Sequence, residues 1–322
     1  MDPPSFTPTP LRISTMTVTG HLGVTPDLKA LFDQSAFIPY WMIGPGIIKI
    51  QVGADKKGIC TEDIMHVSTK SKKQFFNQSS LVFRMRLPPD VSASGPYRPL
   101  TPGDATAMLS QVPVVYKETN IKLFKNGGFQ MTGISSQTMA RESLRQLIEM
   151  NKDRGIWATE PTIQKFNVCM MNSDYSIGKA IRRDRLYKIL VETHGLWSSF
   201  EPTIYQGVNT KFFWNKDRPA NSPPGICFCP DPCDGSAGGY GVGQCKKITI
   251  SPFRTGSIII TGAQHPEQLY DAYDFMNGVL RDNPDVLRDE VAPTRRRTAT
   301  PTTVEGILAQ KMRGSPRNIV RL

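Results

Sequence analysis

The chain has no apolar run approaching the roughly 20 residues a membrane-spanning helix needs. Its longest apolar stretches, around Phe37–Ile50 and Ile258–Ile260, are broken by Pro, Gly or Thr. It also lacks a basic segment followed by an apolar run near the N-terminus, where 1–10 is rich in Pro, Thr and Ser. No secretory signal is expected, so the expected compartment is reducing and disulfides are not expected among the six cysteines. Acidic residues are scarce beside basic ones: 28 Asp plus Glu stand against 39 Lys plus Arg, for a net charge of +11. That balance favours a polyanionic partner over an acidic small molecule, although part of the excess lies beyond Arg288, at Arg295, Arg296, Arg297, Lys311, Arg313, Arg317 and Arg321. No Ser/His/Asp set, phosphate loop or paired carboxylates occur at a recognisable spacing, and an enzyme is not expected. A composition of 39% hydrophobic and 21% charged residues leaves a globular protein with one or two ordinary cores.

What the chain does have is an internal repeat. Leu123-Phe124-Lys125-Asn126-Gly127-Gly128-Phe129-Gln130-Met131-Thr132-Gly133 aligns without a gap on Pro252-Phe253-Arg254-Thr255-Gly256-Ser257-Ile258-Ile259-Ile260-Thr261-Gly262. Each copy reads as two strands meeting at a glycine turn, followed by a helix. Pro266 suits the first position of the second helix, whose apolar stripe runs through Leu269, Ala272, Tyr273, Met276, Val279 and Leu280. The first has Ser135 or Ser136 as cap and a stripe through Ala140, Leu144, Leu147 and Ile148. Upstream, each half has another strand and helix: Arg12–Val18 then a helix with Thr25 as cap, and Ile163–Met171 then Asp184–Thr193 closed by Gly195. Further strands are expected at Leu81–Leu87 and Tyr205–Phe213. The expected organisation is a first repeat over 1–157 with an insertion at about 88–120, a second over 158–284 with a Cys-rich insertion at about 214–244, and a flexible basic tail over 285–322 with at most a short helix at Val304–Met312.

The second half carries four motifs in order: Phe166-Asn167-Val168, the Phe200-Glu201-Pro202-Thr203-Ile204-Tyr205-Gln206-Gly207 turn, the Phe253–Ala263 hairpin, and the helix through Ala272-Tyr273. With the duplication, the chain resembles the TATA-box-binding protein family, in the divergent form found in large nucleocytoplasmic DNA viruses. The resemblance implies an α+β fold: a pseudo-two-fold saddle, a curved antiparallel sheet with helices on its convex face and DNA on the other. It implies minor-groove contacts from Asn167, Thr132, Thr261 and Ile259, with Gln130 where an apolar residue is usual and Arg12 where an Asn is usual. A·T pairs offer only acceptors in that groove, which Asn and Thr can meet while a flat apolar surface rejects the guanine amine. Strand threonines otherwise simply fit a pleated surface.

Phe124, Phe253 and Tyr205 match wedge positions, where a ring beside a turn enters an unstacked base step. The alternative is a ring folded back into the core. The fourth wedge aligns near Gln78, close to Phe75 and Phe76. Arg84 and Lys211 match basic positions for phosphate, and Lys125 and Arg254, one residue past the paired phenylalanines, offer two more. Family lysines are replaced at Gly128, Ser257, Ser135 and Gln264. The implied function is DNA bending as a transcription-initiation factor, A·T-preferring and without enzymatic activity. Its implied partners are duplex DNA, a transcription-factor-B-like protein and RNA polymerase, with a monomer acting in the nucleus or a viral factory, or packaged in a virion. The alternative is a protein-assembly module of the same fold with little DNA affinity.

Cys227, Cys229, Cys233 and Cys245 cluster in the second insertion beside a glycine-rich stretch. Four thiolates suit one structural tetrahedral zinc, which would fold a loop too small for its own core. Chance clustering and a disulfide pair are the alternatives. No His lies nearby, since His194 and His265 fall at helix ends and His21 and His66 in the other half, so catalytic zinc is not expected. Cys60 and Cys169 read as ordinary thiols.

Overall fold

The computed structural model describes residues 6–65, 75–87, 115–241 and 243–288. Most of the first insertion, the basic tail with its expected short helix, and His66 lie outside the described residues.

Two hairpins seed the fold. β5 (Tyr116–Phe124) turns into β6 (Gly128–Ile134) through Gly127, and β11 (Lys246–Pro252) into β12 (Ser257–Ala263) through Gly256. These glycines have φ of +87° and +79°. A Cβ at 127 would lie 2.2 Å from the Val24 carbonyl oxygen, and one at 256 would lie 2.1 Å from that of Lys179. Only glycine meets both demands. Each hairpin runs into a helix, α3 (Gln137–Glu149) or α5 (Pro266–Asp282). Ser136 Oγ caps α3 by accepting the Met139 amide at 3.1 Å.

The preceding units also repeat. β1 (Arg12–His21) leads to α1 (Leu28–Gln34), and β7 (Gln164–Ser176) leads to α4 (Arg183–Lys188), which continues as a π turn over Ile189–Thr193. The cap of α1 is Asp27, not Thr25: its Oδ1 accepts the Lys29 and Ala30 amides, both at 2.9 Å. A carboxylate there satisfies two free amides and sits at the positive end of the helix dipole. β4 (Gln78–Arg86) and β10 (Asn209–Trp214) are the middle strands, so Tyr205 stands in the loop before its strand. Residues 116–120 belong to β5, which shortens the expected insertion. The edge strands are β2 (Gly46–Val52) with β3 (Asp55–Gly58) at one end and β9 (Ser198–Ser199) at the other.

Eleven strands form one antiparallel sheet in the order β3-β2-β4-β5-β6-β1-β7-β12-β11-β10-β9. At its centre Arg12 faces Asp174 and Thr19 faces Asn167. Thr19 in turn faces Gln130 of β6, as Asp174 faces Ile259 of β12. The pairing therefore repeats with the roles of the halves exchanged, about a pseudo-two-fold axis between β1 and β7.

Alternate residues of each strand are buried on one side: Val18, Met131, Leu123 and Leu81 in one half, Met171, Ile260, Ile250 and Phe212 in the other. They pack with Leu144 and Leu147 of α3 and Leu269 and Met276 of α5 in one continuous core. At about 2 kcal/mol per large aliphatic chain, this burial drives the assembly. The expected α+β, pseudo-two-fold arrangement with helices on one face of the sheet is what the structure shows.

Gly127→Ala and Gly256→Ala should each lower the unfolding free energy by about 2–3 kcal/mol, read as a fall in the urea midpoint. Gly278→Ala, inside α5 with open space around it, should leave the midpoint unchanged or raise it.

Candidate nucleic-acid interface

The residues that alternate with the core make up the other, open face of the sheet. Its centre carries Thr15, Thr17 and Thr19 of β1 and Asn167, Asn172 and Asp174 of β7, flanked by Gln130 and Thr132 of β6 and Ile259 and Thr261 of β12. The structure thus brings Asn167, Thr132, Thr261, Ile259 and Gln130 onto one surface. Arg12 shares it, but its guanidinium is held by the Asp174 carboxylate, with Nη2 2.9 Å from Oδ1 and 2.8 Å from Oδ2. Arg12 is the dyad mate of Asn167, and Asp174 that of Thr19. An uncharged Thr–Asn pair on one side of the axis therefore has an ion pair as its counterpart on the other.

Neither Phe124 nor Phe253 belongs to the core; both are half-buried on the open face. Phe253 meets Tyr205 edge to face, with ring centroids 5.7 Å apart at 67°. Both rings lie on the bare backbone of Gly207, where a Cβ would come within 2.9 Å of Tyr205 and 3.1 Å of Phe253. The Tyr205 amide donates to the Glu201 carbonyl at 2.8 Å, and the Arg183 guanidinium donates to that of Gln206. Tyr205 remains 41% exposed.

In the first half Phe124 faces Gln78. Leu81 faces Ile121 as Thr210 faces Ile250, and counting back equally from Leu81 and Thr210 makes Phe76 the mate of Tyr205. Phe76, however, stacks on Gly53 and lines a depression beside α1. Phe75, 51% exposed, is the ring that shares an open-face depression with Gln78.

The cations are distributed differently from the sequence expectation. Arg84 is no phosphate ligand: its side chain is only 12% exposed, donating to the carbonyls of Met42 at 2.8 Å and Tyr40 at 3.0 Å and lying 3.5 Å from Glu118. It is enclosed because residues 38–65 fold over the outer part of the open face. There Ile48, Cys60 and Val82, with Ile38 and Tyr40, form a second small apolar cluster. α2 (Thr61–Met65) begins with the Thr61 hydroxyl donating to Glu118 at 2.8 Å. Beside it Lys49 meets Asp63 at 2.6 Å. Burial opposes ionisation of Asp63, but the Lys49 ammonium and hydrogen bonds from Cys60 outweigh it and lower the carboxyl to about 2.

Lys211 does lie on the open face, half-buried, donating to Thr249 Oγ1 at 2.9 Å beside the Trp197 ring. Burial, then repulsion from Lys247, lowers its pKa. Lys125 and Arg254 are exposed in the turns, and Lys125 lines the depression beside α1 rather than the open face. Lys122 and Lys247 were not foreseen, yet both are exposed on the open face. The signal for Lys122 was its place two residues before Phe124 on the same strand.

The Cys-rich loop straps the far end of the β10–β11 hairpin from both sides. The Phe213 amide donates to Gly225 at 2.8 Å and the Lys247 amide to Gly235 at 2.7 Å. This brings the sulfurs of Cys227, Cys229, Cys233 and Cys245 within 4.8 Å of one another, close enough to hold a metal ion. Cys229 and Cys227 approach Cys245 at 3.4 and 3.7 Å. A tetrahedral Zn–S₄ centre needs sulfurs about 3.8 Å apart, given a Zn–S bond of ~2.3 Å. None of the four is in a disulfide. Burial and the neighbouring thiols push Cys245 upward; at Cys233 burial is outweighed by backbone N–H groups, and its pKa falls.

No family model matches the chain. A TATA-box-binding protein-like protein of Acanthamoeba polyphaga mimivirus is 26% identical over 285 residues, which is 84% of this chain. The chain spans 65% of that relative's length. Among solved structures, the Methanococcus jannaschii TBP aligns over 85% of this chain and 99% of its own, with a TM-score of 0.43 at 14% identity. The chain is thus similar along most of its length to a viral TATA-box-binding protein-like protein, in agreement with the resemblance its motifs carry.

Arg84→Ala should strand the Glu118 carboxylate and two carbonyls, lowering stability by about 3 kcal/mol in urea unfolding. Lys247→Ala, on an exposed side chain, should stay within about 0.5 kcal/mol of the parent.

Proposed function

We propose that the open face binds duplex DNA in the minor groove, prefers A·T-rich sites, and bends the duplex as part of transcription initiation. The observation that carries this reading is the placement of Phe124 and Phe253 at dyad-related turns, both outside the core and on the face of Asn167, Thr132 and Thr261. Phe253 has an aromatic companion, Tyr205, suited to help prop open a base step. The centre of the face is uncharged apart from the self-neutralised Arg12–Asp174 pair, while Lys122, Lys211 and Lys247 flank it and suit phosphates. The similarity to a TATA-box-binding protein-like protein of mimivirus supports this role. In this reading the chain is a binding protein without catalytic activity. It acts as a monomer whose helix-bearing face meets a transcription-factor-B-like protein and RNA polymerase, in the nucleus or a viral factory. The competing reading, a protein-assembly module, draws support from the Asp174 carboxylate on the open face and from the burial of Arg84.

We further propose that Cys227, Cys229, Cys233 and Cys245 hold one structural zinc. The four sulfurs lie close enough together to hold the ion, which would tie the loop's two ends.

Gel shifts at two salt concentrations should give tighter binding to an A·T-rich than to a G·C-rich duplex. The Phe124→Ala/Phe253→Ala double variant should lose at least about tenfold in affinity. Equal affinity for the two duplexes would remove the A·T preference, and no binding at low salt would favour the assembly module. Metal analysis of protein purified without chelator should find close to one zinc per chain, and chelation should lower the melting temperature. A zinc content near zero would dismiss the site.

A further inference from the structure

The two halves of the open face differ in relief. In the first half, the segment folded over the outer strands and Phe75 wall off a depression of about 500 Å³, floored by β4, β5 and β6. The amides of Gln78, Asn120 and Gln130 line it, and none of them makes a hydrogen bond among the described residues. Gln78 is the telling case. The residue is only 8% exposed, it borders this depression, and its amide makes no side-chain hydrogen bond while still opening onto the depression. An amide free on that side can meet a ligand, and the groups around it describe which one. The ring of Phe75 offers a flat face for stacking, Glu62 an acceptor, and Lys122 a mobile cation at the border. Flat shape, edge-on hydrogen bonding through both donors and acceptors, and a nearby negative charge are together the attributes of a nucleotide.

We propose that this depression binds a single unpaired nucleotide of a DNA strand, with an adenine base inside. The base stacks on Phe75, and the Gln78 amide pairs with its N6 amine and N7, the two-point contact a glutamine makes with adenine. Glu62 takes the second amine hydrogen, and Lys122 holds the adjoining phosphate. Thymine has a carbonyl where adenine has the amine, so Glu62 repels it. The assignment does not depend on duplex binding, because a base paired within a helix cannot reach the floor amides edge-on. It gives the first half a recognition task of its own.

Fluorescence anisotropy with labelled single strands of about eight nucleotides tests this on the full chain. Oligo(dA) should bind saturably and more tightly than oligo(dT). Gln78→Leu and Phe75→Ala should each weaken oligo(dA) binding about tenfold, while Tyr270→Ala, an exposed ring on α5, leaves it unchanged. Should Gln78→Leu fail to fold, Gln130→Leu carries the same expectation. Equal binding of the two strands by all variants would reduce the effect to bulk charge and overturn the proposal, as would a lack of saturable binding. Failure to bind a fully paired A·T duplex would bear on the function proposed above and leave this site standing.

Discussion

Everything in this molecule follows from the pairing of β1 with β7. Each half alone would be a short sheet backed by one long helix. Joined along their first strands they become a single sheet with two extended faces, and the helices suffice to cover only one. The remaining face has to be stable in water, which explains its threonines, asparagines and glutamines. It is also a broad surface whose centre carries little net charge.

The duplication is a scaffold that the two halves complete differently. At the outer end of the first half, the segment from Ile38 to Met65 lies over the sheet and is fastened by Arg84, Glu118, Thr61, Lys49 and Asp63 around a minor apolar cluster. At the corresponding end of the second half, the fastening is a loop whose four sulfurs converge. Exposed ion pairs contribute little, but a network this enclosed is costly to break. The two ends of the sheet are therefore finished by different side-chain chemistry, an enclosed ion-pair network at one and converging thiols at the other.

Most of the architecture was legible because the repeat is written in residues with hard constraints. Gly127 and Gly256 must be glycine, and the Thr-Gly that follows fixes register on both sides. The open-face positions of Phe124 and Phe253 were legible for the same reason. Arg84 was misread because strand alternation tells which face a side chain takes and nothing of what covers that face. The covering segment, rich in Phe, Ile, Tyr and Trp between residues 37 and 50, looked like an interrupted apolar run. The β2–β3 hairpin went unread within the same stretch. Thr25 lost its capping role to Asp27 by two positions, a choice between two good acceptors that local sequence does not settle. Lys122 was legible in principle, since it shares a strand face with Phe124, but isolated strand lysines are too common to attract notice.

The ion pair of Arg12 with Asp174 has a consequence of its own. A surface with perfect rotational symmetry meets a linear ligand identically from either end and carries no sense of heading. Here one quadrant beside the axis bears a zwitterion and the opposite quadrant a neutral hydroxyl and amide, so turning the ligand end for end produces a physically distinct complex. The two ends of the face are thereby distinguishable at the very point where an exact repeat would make them alike.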